Sequence, residues 1–201
     1  MGEHLIDLFR LAAAGFERSL RNVRLEQWAA PTPCSEWNVR QLVNHMTRGN
    51  LNYVDLLAGA SATDFLRMRE ADALGAVPIE AYVASARASA DAFAGPGAFE
   101  KLLDHPLGKI DGRRGIAIRT TDSAIHTWDL ARALGVDDTL DARLVAWMDD
   151  NLDATHAGVA EGPTDPGSTH RFFGAPRADS ACSSPRHERL LRRMGRRPGW
   201  E

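Results

Sequence analysis

The stretch that most constrains this chain is Arg119-Thr120-Thr121-Asp122-Ser123-Ala124-Ile125-His126-Thr127-Trp128-Asp129-Leu130-Ala131-Arg132. Read as a helix, it stacks Asp122, His126 and Leu130 on one face, because residues four apart lie one above another. Ala133 continues that face, so a carboxylate and an imidazole share a stripe with apolar side chains. Polar groups buried in such a stripe are costly unless they are paired or bound to something. Two ligand-type side chains at i and i+4 also reach a single metal ion, the geometry of helical zinc motifs. Asp-x-x-x-His is common by itself, so its meaning depends on what the rest of the chain brings against it.

The rest of the chain reads as helices. Leu5, Leu8, Phe9, Ala12, Phe16, Leu20 and Val23 recur at helical spacing and predict a first helix over residues 3–23. Pro31 and Pro33 then interrupt, Ser35 reads as an N-cap with Glu36 in the first turn, and a second helix is expected over 36–57. His45 falls on the flank of its apolar stripe, either a half-solvated boundary residue or a ligand reaching toward Asp122 and His126. Residues 58–78 carry Gly59, Ser61, Thr63, Gly75 and Pro78 and predict a long connection. Adjacent antiparallel helices usually need about 2–8 linking residues, so this length suits a crossover to a parallel neighbour. A third helix is expected over 79–94, a loop or short hairpin over 102–114, a fourth helix over 115–134 closed by Gly135, and a fifth over 140–155. Beyond Gly158 the chain is rich in turn residues, with Phe172 and Phe173 as anchors, a short helix over 187–194 and Trp200 pinning the end. The expected fold is all-α: a four-helix bundle within residues 1–157 with one extra helix, and an extended segment 158–201 packing on it in the same domain.

Composition removes several functions. The 201 residues are 44% hydrophobic and 25% charged with a net charge of −3, ordinary for one soluble domain and without the basic excess of a nucleic-acid binder. No apolar run approaches the roughly 18–20 residues needed to span a bilayer. Met1-Gly2-Glu3-His4-Leu5 lacks the basic and apolar segments of a signal peptide, so a cytoplasmic location is expected. Cys34 and Cys182 are too few for a disulfide framework. Cys34 is either a small buried residue in a Pro-Cys-Ser turn or a thiolate favoured by the following helix start. Arg192, Arg193, Arg196 and Arg197 read as a solvated face, with attraction of an anionic ligand as the alternative. His4, His105, His156, His170 and His187 show no partner spacing and read as surface or loop residues.

His45, Asp122 and His126 remain as two histidines and a carboxylate on two bundle helices. Such a set holds catalytic zinc with a fourth position open, and it also suits iron, manganese, nickel or cobalt. Asp129, three residues after His126, can be an outer acceptor for a ligand imidazole, the carboxylate ligand itself, or a salt-bridge partner of Arg132.

The stretch Trp28-Ala29-Ala30-Pro31-Thr32-Pro33-Cys34-Ser35-Glu36-Trp37-Asn38-Val39-Arg40-Gln41-Leu42-Val43-Asn44-His45 resembles the signature of the maleylpyruvate-isomerase-type metal-binding domain. That domain belongs to the DinB-like four-helix bundles, which include mycothiol- and bacillithiol-dependent enzymes. Asp122 to Arg132 is similar to the second signature of the family. Arg171-Phe172-Phe173-Gly174, and Glu188-Arg189-Leu190-Leu191 through Gly195-Arg196-Arg197-Pro198-Gly199-Trp200, resemble the ending of short actinobacterial members. The resemblance implies a DinB-like bundle with its long crossover after the second helix, and, position by position, His45, Asp122 and His126 as metal ligands. It ranks Asp122 ahead of Asp129. Two departures follow from the same comparison: the isomerase has a glutamate where this chain has Asp122, and it carries a separate C-terminal domain for which 201 residues leave no room. Maleylpyruvate isomerisation itself is therefore not expected to carry over.

For chemistry, the resemblance implies a divalent-metal-dependent S-transferase or isomerase, in which a metal-bound thiolate from mycothiol attacks a small electrophile. Zinc is the first expectation for the metal. No catalytic residue is assigned beyond the ligands, and the partners are a small thiol and its substrate, with the chain a monomer or homodimer. The same ligand set also serves a hydrolase or lyase of a specialised pathway, or a non-catalytic metal- or ligand-binding bundle.

Overall fold

The computed structural model describes residues 2–34, 37–155 and 185–200. Four long helices form the frame: α1 (Gly2–Leu20), α2 (Val39–Ala58), α4 (Pro78–Ala94) and α5 (Gly112–Leu134). The short α3 (Ala62–Met68) lies in the connection after α2, a hairpin of β1 (Leu102–His105) and β2 (Gly108–Asp111) precedes α5, and α6 (Ala142–Thr155) and α7 (Arg186–Arg193) follow it. The fold is the all-α bundle expected, with the hairpin as its only sheet among the described residues. The expected turn-rich segment over 158–184, with Phe172 and Phe173, lies outside the described residues.

Each boundary has a local cause. α2 starts three residues later than expected, because an antiparallel bridge from Asn38 to Pro31 keeps Asn38 extended. Asn38 then caps the helix: its side chain accepts from Gln41 N and the Gln41 side chain accepts from Asn38 N, both at 2.9 Å. Asn38 takes the capping role expected of Ser35, which lies outside the described residues. α3 was hidden within the expected loop because only Phe65 of its seven residues is buried, too few to leave a period. Its own capping box joins Ser61 and Asp64. α5 ends as expected at Gly135, whose φ of 66° is open to glycine at little cost.

Around the bundle, α1 packs on α4 and α5, and α2 packs on the same two, so α1 and α2 face each other across the diagonal. The long connection does cross to a parallel neighbour. Arg40 at the start of α2 reaches Asp72 and the Gly75 carbonyl just before α4, while Lys101, after α4, donates to the Leu57 carbonyl at the end of α2 at 2.6 Å. α2 and α5 run antiparallel, since Tyr53 lies against Gly115 while His45 lies against Asp122.

α5 is the central rod, buried on nearly every side although its middle is polar. Its hydroxyls are settled within the helix: Thr120 donates to the Ile116 carbonyl, Thr121 to Ala117 and Ser123 to Arg119. That leaves Arg119, Asp122, His126 and Asp129 as the buried groups of α5 that must find partners elsewhere. α6 and α7 cover the remaining side, where Leu144, Met148, Leu152, Leu190, Leu191 and Met194 pack with Trp128 of α5 and Leu8 of α1. Trp200 packs on this cluster and its carbonyl accepts from Arg132, as the expected pin of the chain end. Among the described residues no helix is long and apolar enough to cross a membrane.

Candidate metal centre

The antiparallel crossing of α2 and α5 brings His45 of α2 against Asp122 and His126 of α5. His45 Nε2 lies 3.3 Å from Asp122 Oδ2, and His126 Nε2 lies 3.2 Å from Asp122 Oδ1. The two imidazole rings meet nearly edge to face, with centroids 5.0 Å apart. Two ligands each about 2.0–2.1 Å from a tetrahedral ion lie roughly 3.3–3.4 Å from each other, so these separations are those of groups that can share one cation. His126 Nε2 is buried and, beyond its 3.2 Å approach to Asp122 Oδ1, has no hydrogen-bond partner among the described residues. A divalent ion among these three side chains would take over that contact, and two imidazoles with a carboxylate are a donor set that suits one. The residues therefore fit a metal ion.

The electrostatics follow from burial and neighbours. Burial opposes charge on His126, but Asp122 and then Asp129 outweigh it and hold its pKa well above that of an ordinary histidine. Burial pushes His45 the other way, down to about 4 against the pull of Asp122. Burial also works against the Asp122 carboxylate, yet His126, Arg119 and His45 together keep it well below the usual range.

Sequence reading overlooked Arg119. Its guanidinium, 2% exposed, pairs with Asp122 Oδ2, donates from Nε to Asn50 Oδ1 at 2.9 Å and from Nη2 to the Met46 carbonyl at 3.0 Å. Gly49 makes room for it: a Cβ there would sit 2.6 Å from Arg119 Nη1. Glycine inside a helix costs about 1 kcal/mol relative to alanine, so here helix stability gives way to the guanidinium. Trp37, also missed as a site residue, walls the centre; its ring lies 4.5 Å from that of His45 and 5.7 Å from that of His126.

The other face of His126 is built differently. Its Nδ1 lies 2.8 Å from Asp129 Oδ2, the outer-acceptor arrangement that the sequence left open for Asp129. Cys34 Sγ lies 3.2 Å from the same oxygen and 3.8 Å from His126 Nδ1, so Cys34, His126 and Asp129 form a second group of ligand type. That group already holds a cation: the Arg196 guanidinium sits 2.6 Å from Asp129 Oδ2 and 3.2 Å from Cys34 Sγ. Burial, then Asp129, push the Cys34 thiol up, away from thiolate character. Asp129 does not pair with Arg132, whose carboxylate partner is Asp138.

Two expectations need correction. Arg196 does not belong to a solvated face; it is 7% exposed and ion-paired with Asp129, whereas Arg193 does lie on the outside, beside Asp149 and Asp153. His105 is no surface residue either. It is 1% exposed, its Nε2 is 3.2 Å from Tyr53 Oη and its Nδ1 accepts from Leu107 N at 3.1 Å. The hairpin turn folds it inward, a contact between distant segments that spacing cannot reveal. His4 and His187 are exposed as expected, and His156 and His170 lie outside the described residues.

Beside the cluster a pocket is lined by His45, Arg48, Tyr53, Phe65, Arg69 and Asp122, among others. His45 keeps 18% of its side chain exposed, whereas His126 keeps 2%. Arg69 comes from the end of α3, so the crossover that separates α2 from α4 also supplies part of this wall.

Comparison with known proteins agrees with this architecture. The sequence profile of the mycothiol maleylpyruvate isomerase N-terminal domain matches residues 9–131, which include α2, α5 up to Ala131 and all three residues of the cluster. Uncharacterised proteins of two Mycobacterium tuberculosis strains, CDC 1551 and H37Rv, are each 35% identical over 133 residues, covering 66% of this chain and 69% of theirs. No solved structure gives a significant match.

Proposed function

The chain belongs to the mycothiol maleylpyruvate isomerase N-terminal domain family, within the DinB-like superfamily, and on that premise we propose that it is a divalent-metal-dependent enzyme transferring a small thiol to an electrophilic substrate. His45, Asp122 and His126 are the ligands in this reading, zinc is the favoured ion and mycothiol the favoured thiol. The observation that carries it is His126 Nε2, buried, lacking a hydrogen bond, and 3.2 Å from a carboxylate that also faces His45. When bound, a divalent ion supplies a Lewis acid that lowers the pKa of a thiol and holds its sulfur near the substrate.

The chain's own residues supply the rest. Asp129 orients His126 through Nδ1, Arg119 orients Asp122 through Oδ2, and Trp37 shields both imidazoles from water. The pocket on the His45 side carries Arg48, whose buried Nε has no hydrogen-bond partner among the described residues, and Arg69, 5% exposed. With Arg119 paired to Asp122, the guanidinium groups of Arg48 and Arg69 outnumber the Glu70 carboxylate, 3.9 Å from Arg69, and favour a substrate with negative charge of its own. In the reaction the sulfur bonds to the electrophilic carbon, the thiol proton passes to solvent, and the leaving group departs with its electron pair.

The test starts with the purified chain. Metal analysis should find about one divalent ion per chain, lost in His45→Ala, and mycothiol should be consumed with small anionic electrophiles only by the metal-loaded protein. Arg69→Met should raise KM for those substrates more than it lowers kcat. A wild-type chain that binds no metal defeats the reading. Metal binding without any thiol-dependent reaction leaves the centre but defeats the transferase.

A further inference from the structure

We infer that Arg196 is a positioning residue of the metal centre, acting through Asp129 on the orientation of His126. This rests on the proposed metal site but adds to it a residue outside the stretch matched by the family, which ends at residue 131. After α7 the chain turns at Gly195, with φ 77°, and sends Arg196 inward rather than along the surface. Its Nη2 lies 2.6 Å from Asp129 Oδ2, its Nε lies 3.1 Å from Oδ1 and 3.2 Å from Oδ2, and its Nη1 donates to the Met194 carbonyl at 2.8 Å.

The geometry gives Arg196 a specific task. Asp129 is fully buried, and a carboxylate there can turn about its last torsion unless both oxygens are held. The guanidinium holds both, so Oδ2 stays 2.8 Å from His126 Nδ1. With that nitrogen fixed, the ring plane is fixed, and Nε2 stays aimed between Asp122 and His45. A planar fork does this where a single ammonium point charge does it less well. Cys34 completes the surround, its sulfur 3.2 Å from Arg196 Nη2, so the loop before α2, the middle of α5 and the chain end meet at one carboxylate. The last segment of the chain is thus part of the centre's support rather than a cover over the bundle.

The test is a double-mutant cycle read by zinc affinity, by competition with a chromogenic chelator, and by the visible spectrum of the cobalt-loaded protein. Arg196→Met should weaken zinc binding by about 10- to 100-fold, the range for loss of an outer partner of a ligand histidine, and alter the cobalt bands. Arg196→Lys should recover part of the loss. In an Asp129→Asn background Arg196→Met should cost less than about twofold more, because its route to His126 is already cut. Should Arg196→Met not fold by circular dichroism, Arg196→Lys and Arg196→Gln give the same comparison. Wild-type affinity and spectrum in folded Arg196 variants, or an equal loss with and without Asp129, overturn the inference. A wild-type chain that binds neither zinc nor cobalt overturns the functional reading itself and the inference with it.

Discussion

Two histidines are buried in this bundle to nearly the same degree, and their surroundings differ. His105 is 1% exposed and His126 is 2% exposed. Both nitrogens of His105 face partners, the Tyr53 hydroxyl and the Leu107 amide. Burial and then Arg114 push it down to about 4, so it is neutral and finished. His126 has carboxylates on both sides, a pKa held high, and one nitrogen without a hydrogen bond. Burial alone therefore separates nothing. What separates a structural imidazole from one prepared for a ligand is whether its hydrogen bonds are complete and what charge surrounds it.

The sharpest way to break this contrast is to delete each ring. Asp122→Ala or His126→Ala should remove bound metal altogether, measured by elemental analysis after gel filtration. His105→Ala should keep full metal content while losing about 1–3 kcal/mol of stability in urea titration, as a buried hydroxyl loses its partner. Equal metal loss in all three variants would erase the distinction.

Proton competition comes next. Because the pKa of His126 is raised, a metal must displace its proton, and zinc affinity should fall about tenfold for each pH unit below that value. The metal-free protein should behave oppositely. A raised folded pKa contributes stability that is full below the unfolded value near 6.5 and lost as pH rises through the folded value. Zinc titrations and urea melts across neutral pH would show the two trends crossing in sign.

A smaller effect should come from Gly49→Ala. The added methyl group displaces Arg119 from Asp122, and overpacking of this kind costs about 1–3 kcal/mol. Zinc affinity should drop by about tenfold, within the range for an outer partner, although residue 49 touches no proposed ligand.

The smallest effect separates the histidines by acid. His105 and His45 titrate in the folded state near 4, below the ordinary 6.5, so each contributes stability that is full above 6.5 and lost as pH falls toward 4. His105→Leu should flatten that acid slope without changing zinc binding at neutral pH. An unchanged slope would mean that His105 is not buried as described.

The bundle was legible because its signals are local and repeated. The stripes of α1, α2, α4 and α6 and the closure of α5 at Gly135 all follow from spacing or glycine chemistry. The pair Asp122 and His126 was legible for the same reason, being one helical turn apart, and Asp129 lay within the same reach. His45 needed a second helix, so spacing left it open between boundary and site, and family resemblance singled it out. Trp37, Arg196 and His105 lacked any such signal, and Arg119, three residues before Asp122, showed only part of its role. Their partners lie far along the chain: Arg119 meets Asn50 and Met46, Arg196 meets Asp129, and His105 meets Tyr53. An arginine near the end of a chain looks the same in sequence whether it is solvated or buried against a carboxylate. One cue was present for Arg119, since Gly49 interrupts an otherwise good helix without any turn to explain it.

The clamp of Arg119 on Asp122 has a consequence for selectivity. A carboxylate already balanced by a guanidinium brings little net negative charge to its other neighbours, and the two imidazoles bring none once deprotonated. The charge met on the way in is then set by Arg48 and by Arg69 with its neighbour Glu70 at 3.9 Å. On the proposed function, sulfur anions and acids should bind there more tightly than amines and other cations.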